Sequence, residues 1–328
     1  MKHVERIVRF VTVAFAIMLV LNGCDTLFGP SDDPNGSGGN GTTSEPAHSD
    51  DQLPLNAVTA AAELSFRMFQ LVDGEIAGST DYPEGLSVEG EISESEGGEL
   101  TVTASSVEFS HVLNDATVTG VFTIAVSPDQ EGSFLAMNGE ATFENYVAEA
   151  LVFDHTTLLW DDDEMFERPP TGASGSHVVD GVAYSAESVT RIVIAVEIYG
   201  ELGEVLWHAV LDDEYDEANV DTEKLSDGVV SVEFDEFRVG GSASNDITIT
   251  GIFDVEYTLE EPDYEMDING EVDITNYFVS KLAINAGMVW DDESGGIPSS
   301  VSGSVTADGA TYGVQYLLDV WTRLWVED

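Results

Sequence analysis

Two short stretches place consecutive carboxylates behind an aromatic residue: Trp160-Asp161-Asp162-Asp163 and Trp290-Asp291-Asp292-Glu293. Hard cations such as Ca2+ need several oxygen ligands at once, and adjacent acidic residues on a turn can supply some of them. These six carboxylates are the candidate metal ligands of the chain, and calcium is its one candidate cofactor. The competing reading is a strand-end tryptophan packed inward with a solvated acidic loop behind it. Charge runs usually have that explanation, and we adopt it. Glu265-x-Asp267-x-Asn269-Gly270 superficially has the start of a calcium loop, but its twelfth position is Asn276 and its flanks alternate like strands, so we reject an EF-hand.

Catalytic constellations are not legible. Pairs of carboxylates serve glycosidases, but with 63 acidic residues such pairs arise everywhere. His48, His111, His155, His177 and His208 stand alone, without an H-E-x-x-H pair. No G-x-S-x-G elbow is present, and nothing resembles a phosphate loop. Gly36-Ser37-Gly38-Gly39-Asn40-Gly41 matches G-x-G-x-x-G, but no strand precedes it and no helix follows, so a dinucleotide site is rejected on context. The expectation is a non-catalytic protein.

The single cysteine, Cys24, follows a distinctive leader. Lys2, Arg6 and Arg9 form a positive segment, and Phe10 to Leu21 is an apolar run broken only by Thr12. Such a run is too short to span the ~30 Å hydrocarbon core as a stable helix, but it suits the apolar region of a signal peptide. It ends in Leu21-Asn22-Gly23-Cys24, which resembles the lipobox of bacterial lipoproteins: an aliphatic residue, two small residues and the cysteine. The resemblance covers residues 1–24 alone. It implies cleavage before Cys24 and a lipid on its sulfur, hence a cell-envelope location with the membrane as a partner. Asp25 resembles an inner-membrane retention signal of some Gram-negative bacteria, a rule that is not universal and leaves leaflet and membrane open.

Without residues 1–23 the chain carries 7 Lys and Arg against 62 Asp and Glu, a formal charge of −55. Nucleic acid is thereby excluded as a partner, because its phosphates would be repelled. Anionic head groups would be repelled too, leaving the acyl chains as the attachment. The hydrophobic fraction of 43% nevertheless allows a core. The scarcity of lysine over the whole chain points to a solvated, halophile-type acidic surface.

The elements that must position these residues show an internal duplication. Residues 24–54 read as a lipidated cysteine and a flexible acidic Gly/Ser/Asp linker. Beyond it, residues 114–146 align without gaps to 245–277 with 11 identities in 33 positions. Asn138-Gly139-Glu140 answers Asn269-Gly270-Glu271, and Asn145-Tyr146 answers Asn276-Tyr277. Farther on, Trp160 answers Trp290, and Ser174-Gly175-Ser176, Asp180-Gly181 and Tyr184 answer Ser302-Gly303-Ser304, Asp308-Gly309 and Tyr312. The expected fold is mainly β, with antiparallel sheets built from two tandem repeats, 55–185 and 186–328. Each has about five or six strands and one helix, packed as a compact pseudo-twofold unit.

The first helix is predicted from Ala57, Ala61, Leu64, Met68 and Leu71, which share one stripe. Ile192, Ala195, Tyr199 and Leu202 form a similar stripe, though their β-branched surroundings also suit a strand. Met266, Ile268, Val272 and Ile274 keep one parity across Asn269-Gly270, which predicts one continuous strand there and not a hairpin. The glycines in TVTGVFTIAV and ITITGIFDVEY predict a bulge or a close backbone approach. Two functional classes follow: an envelope lipoprotein that binds a partner protein or has a structural role, and a carrier holding a lipid or other apolar ligand between curved sheets.

Overall fold

The computed structural model describes residues 52–76, 86–94, 99–110, 115–127, 133–160, 170–211, 219–238, 247–260, 263–291 and 298–325. Helix α1 (Leu55–Ile76) leads into β1 (Leu86–Glu94), β2 (Glu99–Ser110), β3 (Asp115–Ser127), β4 (Ser133–Glu144), β5 (Ala150–Trp160), β6 (Gly172–Val179) and β7 (Val182–Ser185). Helix α2 (Ala186–Leu211) follows at once. After it come β8 (Val220–Ser226), β9 (Val229–Arg238), β10 (Thr248–Glu260), β11 (Asp263–Thr275), β12 (Lys281–Asp291), β13 (Ser300–Ala307), β14 (Ala310–Gly313) and helix α3 (Val314–Trp325).

The strands form two antiparallel seven-stranded sheets, β1 to β7 and β8 to β14, each ordered as in the sequence. The protein is thus mainly β and antiparallel, as its alternating patterns imply. Each sheet has seven strands where the sequence suggests about five or six. The four-residue arms β7 and β14 are too short to carry a periodic signal of their own. Helix α3 is a further addition to the expected one helix per copy.

Alternation is regular where the strands are long. Met266, Ile268, Val272 and Ile274 are all buried, and β11 runs unbroken through Asn269-Gly270, pairing Asn269 with both Asp254 and Asn285. The glycines bring neighbouring strands close together. A Cβ on Gly120 would lie 2.3 Å from the Glu140 carbonyl oxygen, and one on Gly270 would lie 2.2 Å from that of Ile252. A register shift sits at Gly251 between β9 and β10.

Each sheet is filled by a helix. Ala57, Ala60, Ala61, Leu64 and Met68 of α1 join Phe122, Leu135, Leu151 and Phe153 in one core. Ile192, Ala195, Leu202 and Leu206 of α2 join Phe234, Phe253, Ile268 and Ile284 in the other. The second stripe is therefore helical, because burial of a continuous apolar face outweighs the small helix penalty of its β-branched residues. Helix α3 adds Val314, Leu317 and Val320 to the second core and packs on β13 and β14, while α2 also packs on β6 and β7. The three helices touch one another, and Arg323 donates to the Asn56 side chain at 2.7 Å.

Candidate functional site

Of the residues singled out for chemistry, Cys24, Asp161, Asp162, Asp163, Asp292 and Glu293 lie outside the described residues, as does the side chain of Asp291. The tryptophans beside them are described. Trp160 is buried and stacks on Phe69 of α1 at 6.4 Å between centroids; Trp290 lies 5.0 Å from Trp207 of α2. Both strand ends thus turn an indole toward a helix. Glu265, Asp267 and Asn269 are exposed on one face of β11. At about 3.4 Å of rise per residue, alternate side chains stand nearly 7 Å apart along a strand, too far to converge on one ion. Among the described residues, no group of three or more His, Cys, Asp or Glu is placed to hold a metal.

The repeated motifs occupy matching positions in the two sheets. Asn145 and Asn276 both adopt φ 57° at the turn after β4 and β11, a left-handed conformation that asparagine tolerates better than most residues. The tyrosine that follows each reaches a helix: Tyr146 donates to the Thr59 carbonyl on α1 at 3.4 Å, and Tyr277 donates to Glu197 Oε2 on α2 at 3.1 Å. Asp180 and Asp308 (φ 50° and 48°) with Gly181 and Gly309 (φ 82° and 87°) form the tight β6–β7 and β13–β14 turns, the geometry that Asp-Gly favours in two-residue hairpins. Their carboxylates accept from the backbone N–H of Glu149 and Ala150 in one case and of Ser280 and Lys281 in the other. These motifs hold the fold together.

The two tyrosines face different electrostatics. Beside Tyr146, Glu63 is buried and accepts from Arg67 at 2.9 Å one turn away. Burial lifts its carboxyl to about 6, opposed by the arginine. Beside Tyr277, Glu197 and Glu201 share one face of α2, with Glu204 and His208 farther along the same stripe. Burial pushes Glu197 up to about 7, opposed by the Tyr277 hydrogen bond. It pushes Glu201 up to about 8, reinforced by the charges of Glu197 and Glu204. Glu204 is also raised by burial, with His208 opposing. The sequence carried a signal for this cluster: carboxylates at i, i+4 and i+7 interrupt a helix that is otherwise apolar nearly all round.

His48 and His111 lie outside the described residues, and the described histidines do not converge. His155 is exposed at a β5 bulge with φ 50°, and His208 lies on α2. His177 is buried on β6, edge-on to Phe153 at 5.4 Å, with neither ring nitrogen hydrogen-bonded. Burial lowers its imidazole to about 4, so it is neutral near pH 7.

Comparison of the chain with protein-family models, curated proteins and solved structures finds no match. Among the described residues no helix is long and apolar enough to cross a membrane.

Proposed function

We propose that the protein is a non-catalytic bacterial lipoprotein, tethered to the cell envelope through lipid on Cys24, whose folded part works by binding an envelope partner or as a structural element. The observation that carries the second half of this reading is the occupancy of the sheets. Among the described residues, the apolar side chains of both sheets are covered by the chain's own helices, through cores in which Leu64, Met68, Ile192 and Leu202 are almost fully buried. A lipid carrier needs an apolar cavity of several hundred Å³, and these side chains take up that space. The arrangement instead offers two outward sheet faces to other molecules.

Support for the tether is the leader and the lone cysteine. The two tandem repeats, 55–185 and 186–328, belong to the same proposal. They are supported by the common strand order, the matched left-handed residues and the direct passage from β7 to α2 at Ser185/Ala186.

The tether is tested by labelling cells with a fatty-acid analogue. Wild type should carry label and begin at residue 24, whereas Cys24→Ala should be unlabelled and retain residues 1–23. Label on the mutant, or a different mature N-terminus in wild type, would overturn the assignment. Mass spectrometry of the purified Cys24→Ala protein tests the rest: a stoichiometric co-purifying lipid would replace the partner-binding reading with the carrier reading.

A further inference from the structure

We propose that Glu197, Glu201 and Tyr277 form a proton-operated latch between α2 and the second sheet, closed while at least one of the two carboxyls is protonated and loosened when both are ionised. Three observations carry it.

The first is placement. Glu197 and Glu201 lie one helical turn apart, so their carboxyls are neighbours on one side of the helix. That helix is sandwiched between β6 and β7 of the first sheet and β9, β10 and β13 of the second. Two like charges half removed from water repel far more strongly than the same pair in solvent.

The second is the missing counter-charge. The first half answers its buried Glu63 with Arg67 at 2.9 Å. In the second half the groups acting on the pair are Glu204 on α2 itself, which adds to the repulsion, and Tyr277 from the β11–β12 connection. His208 acts on Glu204, and Arg191 on the same helix pairs with Glu187 at 2.6 Å. No titratable group of the strands or of α1 and α3 acts on either carboxyl among the described residues. A proton is therefore the neutralising partner at hand.

The third is the connection to the sheet. The Tyr277 hydroxyl donates to Glu197 at 3.1 Å, so α2 is fastened to the β11–β12 connection through one of the titrating groups. Tyr277 is itself held far into its neutral form by burial and by the two carboxylates, so it remains a donor throughout. With one proton on the pair, Glu197 can accept from Tyr277 while Glu201 is neutral. When both are charged, the repulsion is relieved only by moving Glu201 or the helix outward.

The sign follows from linkage. Carboxyls raised from 4.5 to about 7 and about 8 bind protons more tightly in the folded than in the unfolded chain. Their contribution is therefore present at low pH and declines as pH rises through both folded values. Ordinary carboxylates are fully ionised above pH ~6, but histidines titrate near 6.5 and Glu204 is raised by burial, so the difference between wild type and Glu201→Gln, and not the wild-type loss alone, isolates the latch.

The experiment is thermal unfolding of the full-length chain in detergent with about 1 M NaCl, which screens the general surface repulsion, between pH 6 and pH 9. Wild type should lose roughly 5 °C or more across this range, and Glu201→Gln should lose much less. Tyr277→Phe removes the hydrogen bond that favours ionised Glu197, so its loss should be displaced to higher pH, a shift that general weakening of the fold does not produce. Glu63→Gln should leave the profile above pH 7 unchanged. Infrared spectra give a readout independent of stability: a neutral carboxyl band at pH 6.5 that is lost by pH 9 and diminished in Glu201→Gln. A Glu201→Gln profile parallel to wild type, or the absence of any neutral carboxyl at pH 6.5, would overturn the latch.

Discussion

His177 illustrates how one residue can set a sensitivity in a chain dominated by carboxylates. It pairs with Tyr184 across β6–β7, and Val305 pairs with Tyr312 at the matching place in the second sheet. An imidazole in this apolar position keeps a donor and an acceptor unsatisfied, and it charges only at a cost of burial. Because its folded value near 4 lies below the unfolded value near 6.5, the unfolded chain binds the proton more readily between them. Stability is therefore lost as pH falls from about 6.5 toward 4, by up to about 3 kcal/mol from this group alone. His177→Val, copying the second half, should remove that acid-side loss and stabilise the protein at neutral pH by about 1 kcal/mol. Unfolding titrations at pH 7 and pH 5 check this, the expected result being a mutant whose midpoint shifts less between the two. Asp308 makes the opposite case. Its carboxylate accepts from the N–H groups of Ser280 and Lys281, so Asp308→Ala should cost about 1–3 kcal/mol, measurable by denaturant unfolding.

At the scale of elements, the glycines of the sheet interiors set the shape. Gly270→Ala would bring a methyl group within 2.2 Å of a carbonyl oxygen of β10 and 2.6 Å of the Phe253 ring. Overpacking of this kind should cost about 1–3 kcal/mol, against the roughly 0.5–1 kcal/mol gain that alanine brings to an unstrained strand interior. Gly181→Ala meets no atom within 4 Å, so its penalty should come only from the φ of 82°. Comparing the two variants separates crowding from backbone strain.

The same elements show what could be read in advance. Long strands with one parity and the α1 stripe were legible because side-chain period maps directly onto buried faces. The offset between the matched motifs is 131 up to Asn145, 130 at Trp160 and 128 from Ser174 onward, and the first one-residue step coincides with the β5 bulge at His155. The arms β7 and β14 and the helix α3 were not legible: two short hairpin arms give no period, and α3 lies beyond the last matched motif. The Glu197–Glu201 pair was marked only by its spacing on an apolar helix, a weak signal among 63 acidic residues. Burial, and the Tyr277 hydrogen bond to Glu197, distinguish that pair from the solvated ones.

The whole molecule is governed by its charge. The outward faces of the second sheet oppose like charges directly: Glu256 pairs with Asp267, and both are exposed. Lys281 offsets Glu271 at 2.9 Å as one of only two lysines beyond residue 23. Directly opposed like charges destabilise a sheet, and a formal charge of −53 adds a diffuse repulsion against compaction. Monovalent salt shortens the Debye length from about 8 Å at physiological strength to about 3 Å at 1 M, comparable with the spacing of neighbouring strands. If the acidity is a general surface adaptation, NaCl should raise the unfolding temperature progressively. Asparagine at Asp161 and Asp162, or at Asp291 and Asp292, should then leave that rise intact. A specific calcium site at the Trp-Asp-Asp stretches behaves differently: a ligand that binds only the folded state stabilises by mass action, with an increment set by its concentration relative to its dissociation constant. That increment would appear at millimolar calcium or below and disappear in the asparagine variants while the NaCl response survived. We expect the progressive salt response without a saturable calcium step. Isothermal titration decides it, and an isotherm with about two sites, abolished by the asparagine substitutions, would assign the six carboxylates to calcium and limit the surface explanation to the remaining acidic residues.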